Sequence, residues 1–408
     1  MNKNIKLAVA GAVLAMSATA ANAGIIIPAG DWTLDINGNV NAYVNYTHTR
    51  DNNTVSGGLA GKKTANDQNG DKLLGINTGL LPAWLGFTAT TRQNDLDVSW
   101  NMSMQPNVSD NAVTGDSKAP LFRTAYFSFG DKSWGSIKMG KDIGIFASDA
   151  ILNDMTLLGV GSNAGLSGAS TTLGGIGTGY IYAGWKGQAT YSTPNFNGFQ
   201  GSVGITNPNQ IGNTTAAALS QDRYGLEGKA SYTFDTGAAT GKIWVSGLSY
   251  QVSTTATTSY SASAGDIGLN LNSNGFGLTG YYYTGKGVGT TAFGNGALAG
   301  STPGAVGAAA SGTNARDSDG GYIQLTYVLP TKTKLGIAYG ESNLDLGTGE
   351  TANGSTVVKS NERMTVGAYH PLTKHLNVVA EYNNIQSSNH GNQTNESQTY
   401  SVGGILFF

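Results

Sequence analysis

The amino-acid sequence predicts an all-β chain, a sixteen-stranded antiparallel transmembrane β-barrel. Three observations support this fold class. The chain begins with residues typical of an export signal, and no later apolar run approaches the roughly 20 residues of a membrane-spanning helix. Its segments alternate between apolar and polar residues over lengths greater than those of most soluble strands. Short turns and long polar links follow one another along the chain, as they do in a membrane barrel.

The first 23 residues have the pattern of a secretory signal peptide. Lys3 and Lys6 supply the positive region, residues 7–18 form the apolar core, and residues 21–23 (Ala-Asn-Ala) form a cleavage site of the A-x-A type. The apolar core is too short to span a bilayer. We therefore expect the signal to be removed and residues 24–408 to form a single barrel domain.

The alternation is clearest between residues 34 and 46, where one face is apolar or small and the other almost wholly polar. A soluble strand usually has about five or six residues, whereas a tilted strand across a bilayer needs about 9–11. The pattern recurs at residues 83–92, 96–103, 322–327, 334–340 and 363–369. This repetition indicates a barrel with an apolar outside and a polar inside. Between residues 242 and 285 the alternation is poor.

The connections between these segments alternate in length. Short turns lie at residues 93–95, 130–135, 193–198, 236–241, 273–275, 330–333 and 373–376. Long polar links lie near residues 50–81, 105–120, 142–179, 207–221, 253–265, 287–318, 342–360 and 386–397. Seven turns and eight links predict sixteen strands, with short periplasmic turns, long outer loops and both chain ends on the periplasmic side. An even number of strands then closes the sheet without an edge.

Aromatic residues lie close to the predicted strand ends, where amphipathic rings form girdles at the two membrane interfaces. At the periplasmic end are Trp32, Trp134, Phe407 and Phe408, and at the outer end are Tyr46, Tyr250, Tyr281, Tyr282 and Tyr283. We expect these rings to face the membrane interfaces.

Composition and charge exclude several function classes. Only 12% of the residues are charged and the formal net charge is −2, so the chain lacks the concentrated basic patch that nucleic-acid binding requires. The sequence contains no Cys, and its four His lie too far apart on the predicted barrel to converge on one site. We therefore expect no nucleic-acid partner, no metal, no cofactor and no enzyme activity.

Four segments carry a resemblance to a known family. The chain ends in YSVGGILFF, and three hairpins have the sequences RTAYFSFGDKSWGSIKMGKD (residues 123–142), YSTPNFNGFQGSVGIT (191–206) and YHPLTKHLNVVAEYN (369–383). Their order and spacing resemble those of the trimeric Gram-negative general porins. The resemblance implies a homotrimer in the lipid and lipopolysaccharide of the outer membrane of a Gram-negative bacterium. It also implies that the terminal Phe408 is a signal to the barrel assembly machinery.

In that family the third outer loop folds into the lumen and narrows the pore. The corresponding segment here is residues 142–179, which lacks the Pro-Glu-Phe-Gly type of sequence common in related porins. It is too apolar for a solvated surface loop, since it contains Ile143, Ile145, Phe146, Ile151, Leu152, Met155, Leu157 and Leu158. We expect this candidate constriction loop to pack against the wall of the lumen.

A sixteen-stranded barrel is wide enough to leave an aqueous channel, so its function depends on cross-section and on the charge of the lining. The resemblance places Arg123 and Lys138 near the constriction, and Asp149 and Asp154 are the acids of the loop. Opposed acids and bases would create a transverse field that orients dipolar solutes. Further lumen-facing basic residues are expected at Arg92, Lys229 and Arg363.

The sequence therefore predicts a porin for passive diffusion of small hydrophilic solutes and ions across the outer membrane. The sequence also allows two alternative functions. The first is a solute-selective channel of the same fold, and the second is a structural or adhesive barrel whose lumen is plugged.

Overall fold

The computed structural model describes residues 24–64, 68–108, 121–164, 171–207, 223–253, 259–293 and 314–408. The predicted signal peptide, residues 1–23, lies outside these ranges. Eighteen strands pair in one antiparallel sheet. They are β1 (Ile25–Ala29), β2 (Trp32–Thr49), β3 (Lys72–Asn77), β4 (Trp84–Gln93), β5 (Leu96–Met104), β6 (Ala125–Asp131), β7 (Gly135–Ile143), β8 (Trp185–Ser192), β9 (Phe199–Thr206), β10 (Gly225–Asp235), β11 (Thr240–Ser253), β12 (Ser259–Ser273), β13 (Phe276–Lys286), β14 (Asp317–Val328), β15 (Lys334–Leu344), β16 (Val358–Pro371), β17 (Leu376–Asn389) and β18 (Thr394–Phe407).

The sheet closes into a barrel because β18 pairs with β2, joining the end of the chain to its beginning. Two barrel strands are each built from two segments. β3 and β4 pair with different halves of β2, so they form one strand interrupted at residues 78–83. β1 pairs with β2 beyond the end of β18 and continues that strand. The barrel therefore has sixteen strands, as the sequence predicts.

The wall is apolar outside and polar inside, which confirms the faces assigned from the alternation. On β2, Val40 and Val44 are 55% and 61% exposed, whereas Asn39, Asn41 and Asn45, on the opposite face, are at most 2% exposed. An apolar exposed surface with a polar interior is the reverse of a soluble domain and suits a lipid surround.

The turns follow the local sequence. β4 and β5 are joined through Asn94 and Asp95, and β12 and β13 through Asn274 and Gly275; all four residues have positive φ, between 47° and 82°. Such two-residue turns match the right-handed twist of a hairpin, and Asn, Asp and Gly accept this conformation readily.

Several predicted boundaries differ from the structure. β3 lies within the link predicted at residues 50–81, and β12 begins at Ser259, within the link predicted at residues 253–265. β17 and β18 extend to Asn389 and from Thr394, so the link predicted at residues 386–397 is a turn of four residues. The outer ends of these strands are rich in Ser, Asn and Gln and lack the apolar alternation from which strands were assigned. The loop predicted at 142–179 connects β7 and β8 and spans residues 144–184, here called the third loop.

The described part of the third loop contains two short helices, an α-helix at Ser148–Leu152 and a 3₁₀-helix at Met155–Leu158. Within the described ranges, no helix has the length and apolarity needed to cross a membrane.

Candidate functional site: the third loop and the lumen

The third loop packs inside the barrel, as expected from its apolar sequence. Phe146, Ala150 and Tyr180 are at most 2% exposed and belong to one cluster with wall residues such as Trp244 and Tyr322. The Tyr322 hydroxyl donates a hydrogen bond of 2.8 Å to the carbonyl of Ala150. Burial of this many apolar side chains makes the hydrophobic effect a main force that holds the loop in the lumen.

The same packing explains the poor alternation between residues 242 and 285. The inward-facing residues Trp244 and Tyr281 are buried against the third loop, whereas Ile243 and Ile267 are 44% and 53% exposed on the outside. Both faces of these strands are therefore apolar, one toward lipid and the other toward the loop.

The expected outer girdle is consequently wrong for three tyrosines. Tyr250, Tyr281 and Tyr283 are at most 5% exposed and belong to the lumen cluster, whereas Tyr46 and Tyr282 are 39% and 50% exposed. A period-two pattern cannot reveal which face is inside when both faces are apolar.

Glu227 of β10 anchors the start of the third loop. Its Oε2 accepts hydrogen bonds from the backbone N–H groups of Ile145 (2.6 Å) and Phe146 (3.0 Å). Its Oε1 forms an ion pair with Lys186 and accepts a bond of 2.5 Å from the Tyr250 hydroxyl. The carboxylate is buried, so these bonds and the cation compensate the loss of water.

Asp149, in the α-helix, binds the third loop to β10 and β11. Its carboxylate pairs with Lys229 of β10 at 2.7 Å and with Lys242 of β11. Burial raises the pKa of Asp149, but the two ammonium groups more than offset this and hold the pKa below its ordinary value. Asp149 therefore stays ionised and bound to the wall at neutral pH.

Asp154, which caps the 3₁₀-helix, joins two parts of the loop to β16. Its Oδ2 accepts hydrogen bonds from the Gly175 N–H (2.9 Å) and the Tyr180 hydroxyl (2.8 Å). The same oxygen lies 3.5 Å from Nη2 of Arg363, and both side chains are 1% exposed. Arg363 also donates to the hydroxyls of Thr178 and Thr365.

Glu381 of β17 holds the middle of the loop. Its Oε2 accepts bonds from the N–H groups of Val160 (3.0 Å) and Gly161 (2.9 Å), and its Oε1 accepts one of 2.7 Å from Tyr369. Glu227 and Glu381 thus bind loop backbone from the wall, while Asp149 and Asp154 bind wall cations from the loop. All four contacts fix the third loop to one side of the barrel, from β10 to β17.

A cavity of about 340 Å³ remains on the other side of the third loop. The barrel wall from β2 to β8 borders it with mostly polar residues, including Asn101, Ser103, Gln105, Arg123, Thr124 and Tyr126. The third loop borders it with mostly apolar residues, including Ile151, Leu152, Leu157, Leu173 and Ile176. The chain segment between β3 and β4 adds Leu80, Leu81 and Pro82.

The four residues expected at the constriction are divided between the two sides. Arg123 borders the cavity, and its backbone N–H donates to Oε1 of Gln105 at 2.9 Å. Lys138 forms an ion pair with Asp142, which also borders the cavity. Asp149 and Asp154 bind the opposite wall and do not face these bases, so the arrangement differs from the expected transverse field. The sequence identified the wall basic residues Lys229 and Arg363 and the loop acids Asp149 and Asp154, but not that they pair with each other.

The other three basic residues expected to face the lumen do not border the cavity. Lys229 and Arg363 face the lumen and bind Asp149 and Asp154. Arg92 is on a strand near a periplasmic turn, where it pairs with Asp97 at 2.7 Å and Asp131 at 3.1 Å and its side chain is 47% exposed.

Phe408 extends the pairing between β18 and β2 by one residue. Its carbonyl accepts a bond of 2.9 Å from the N–H of Gly38, and its N–H donates one of 3.1 Å to the Gly38 carbonyl. The preceding Phe407 is 6% exposed and points inward. The proposed role of Phe408 in recognition by the assembly machinery stays a prediction.

Sequence reasoning missed Glu227, Glu381 and Lys242. All three are buried or half-buried charged residues on inward-facing positions of strands. A carboxylate at an inward-facing strand position needs partners, and this is the signal by which Glu227 and Glu381 could have been found.

A model of the Gram-negative porin family matches residues 8–390. The chain belongs to this family. As a Gram-negative porin it lies in the outer membrane and forms a channel for passive diffusion of small hydrophilic solutes and ions.

Solved structures share the fold of this porin at low sequence identity. The outer membrane channel DcaP of Acinetobacter baumannii is 15% identical, with a TM-score of 0.65 over 93% of this chain and 99% of that one. OmpF of Salmonella typhi, in complex with daunomycin, is 16% identical, with a TM-score of 0.61 over 94% and 100%. The anion-selective porin from Comamonas acidovorans is 14% identical, with a TM-score of 0.59 over 92% and 100%. Comparison with curated proteins found no match.

Proposed function

We propose that solutes pass through this porin between the third loop and the wall formed by β2 to β8, and that the third loop is the constriction. The observation that carries the proposal is the position of the loop between its anchors and the cavity. Glu227, Asp149, Asp154 and Glu381 hold it against β10 to β17, and Tyr43 and Leu80 bond to it from β2 and the segment before β4. The cavity lies between the loop and β4 to β8. Arg123 would then act in the constriction, whereas Lys229 and Arg363 would position the loop.

A single-cysteine variant tests this route, because the chain has no Cys of its own. Leu157 is half-buried and borders the cavity. We expect Leu157→Cys, once modified by a bulky methanethiosulfonate reagent, to lose about half or more of its single-channel conductance, since the added group narrows the passage. Conductance would be recorded in planar bilayers, and mass spectrometry would establish complete labelling.

Val203→Cys is the matched control, because Val203 is 57% exposed on the outer face of β9. Labelling there should leave the conductance unchanged. Full labelling of Leu157→Cys without any change in conductance would place the ion pathway elsewhere in the lumen.

We further propose that the porin works as a homotrimer in lipid and lipopolysaccharide, is inserted by the barrel assembly machinery, and catalyses no reaction. One structure with the same fold, an outer membrane protein of Vibrio cholerae that is 12% identical with a TM-score of 0.50, is described as a trimer form. The exposed apolar outer face gives each barrel a surface that suits both lipid and a neighbouring barrel.

This proposal predicts an oligomer that resists SDS at room temperature and dissociates on boiling. The closed sheet satisfies the backbone hydrogen-bonding groups within the wall, and such barrels unfold slowly. Unheated and boiled samples should therefore migrate differently in SDS gels. Cross-linking before boiling should give a band at three times the monomer mass, and a monomer alone would contradict the trimer.

A further inference from the structure

We propose that the cavity beside the third loop selects solutes that combine an anionic group with an apolar body, of which an aromatic carboxylate is the simplest example. The proposal rests on the proposed route through this cavity. It follows from two features of the lining, an unbalanced cation on the barrel wall and an apolar surface facing it.

The cation is Arg123. The charged residues that border the cavity, within the part of the chain that the structure describes, are Arg123 and Asp142. Asp142 is matched by Lys138, with which it forms an ion pair. Arg123 forms no ion pair with any residue in the described ranges. One positive charge is therefore left for an anion in the passage, and a guanidinium binds a carboxylate through two parallel hydrogen bonds.

The acids of the third loop do not cancel this charge. Asp149 is bound to Lys229 and Lys242, and Asp154 to Arg363, on the far side of the loop. The loop therefore presents no carboxylate to the cavity among its described residues, and its cavity-facing surface is mostly apolar.

The apolar surface is large for a water-filled passage. Leu152 and Leu157 of the third loop, Leu80 and Leu81 before β4, and the indole rings of Trp84 and Trp185 all border the cavity. Water at such a wall lacks hydrogen-bond partners, so an apolar solute that displaces it gains free energy in proportion to the buried area. A volume of about 340 Å³ lies within the range of small-molecule sites, roughly 300–1,000 Å³, and accommodates a single-ring solute.

Other solute classes fit this lining less well. A sugar carries hydroxyls on all sides, and those facing the leucines would lose their hydrogen bonds to water without replacement. An aromatic cation would match the apolar wall but would be repelled by Arg123. Only an anion with an apolar body matches both walls.

The experiment is single-channel recording of the full-length porin in planar bilayers with three probes at equal ionic strength. Benzoate has the ring and the negative charge, acetate has the charge alone, and benzylammonium has the ring with a positive charge. We expect benzoate to reduce the ion current at a concentration at least about tenfold lower than either of the others. A tenfold difference corresponds to about 1.4 kcal/mol at 25 °C.

Two variants test the charge of Arg123 and the apolar surface of the third loop separately. Arg123→Gln should abolish the preference for benzoate over benzylammonium, because the charge is lost while the ring surface is kept. Leu157→Asn should reduce the preference for benzoate over acetate. Leu158→Asn is the matched control, because Leu158 is a half-buried loop leucine that does not border the cavity, and it should bind benzoate as the unmodified porin does.

Equal block by benzoate and acetate, or an unchanged preference in Arg123→Gln, would overturn the proposal. If the labelled Leu157→Cys porin still loses conductance in that case, the route stands and only the solute class is wrong. If labelling also has no effect, the proposed route itself fails.

Discussion

Removal of residues 148–158, bridged by a short Gly-Ser linker, is expected to raise the single-channel conductance about two- to threefold, because conductance follows the open cross-section of the pore. The segment contains both short helices of the third loop and the carboxylates of Asp149 and Asp154. Ile151, Leu152 and Leu157 leave with it and no longer occupy the lumen. Planar bilayer recording of the purified variant measures the effect.

A matched deletion controls for a general disturbance of the outer loops. Residues 351–354 lie between β15 and β16 and are exposed, so their removal should leave the conductance unchanged. The 148–158 variant should keep its heat-dependent shift in SDS gels, since the wall strands are intact. A conductance equal to that of the full chain in such a folded variant would mean that the third loop does not limit the current.

Asp154→Asn is expected to lower the free energy of unfolding by about 3–5 kcal/mol, the usual cost of leaving a buried charge without its partner. Asn keeps the shape of the side chain but removes the charge opposite Arg363, whose side chain is 1% exposed. The measurement is the urea concentration at which the heat-modifiable form is lost, compared with that of the unmodified porin.

Two controls identify the unpaired charge as the cause. Asp131→Asn removes an exposed partner of Arg92, whose side chain is 47% exposed, and should leave the urea midpoint close to that of the unmodified porin, since exposed ion pairs contribute little to stability. Asp154→Asn combined with Arg363→Met should recover much of the loss, because no uncompensated charge then remains buried. A single Asp154→Asn variant as stable as the unmodified porin would mean that this contact does not hold the loop.

The barrel could be predicted from the sequence because its wall obeys a local rule. Along β2 each residue faces either lipid or lumen, and the two environments select opposite side chains, as at Val44 and Asn45. The rule fails along β11 to β13, where the lumen contains the third loop and Trp244 and Tyr281 face a partner as apolar as lipid. In such a region the positions of the strands can still be predicted from the sequence, but not which face of each strand points into the lumen.

The candidate site could be predicted only in part, because its pairs join distant segments. The apolar sequence of the third loop indicated that it packs in the lumen, and Arg123, Lys229 and Arg363 were identified as lining residues. Nothing local joins Asp154 to Arg363, which lies on the opposite wall of the closed barrel. Which side of the lumen the loop occupies decides whether its acids face the passage, and only the three-dimensional structure fixes that side.

Current recording of the unmodified, full-length porin tests whether its lumen is open. In planar bilayers with roughly 1 M KCl, where the Debye length is about 3 Å and surface charge is screened, the purified protein should insert in discrete steps of current. The steps should persist at both polarities, since buried ion pairs fix the third loop to the barrel wall. A correctly folded, heat-modifiable preparation that inserts without any current step would mean that the lumen is plugged and that the protein is not a diffusion channel.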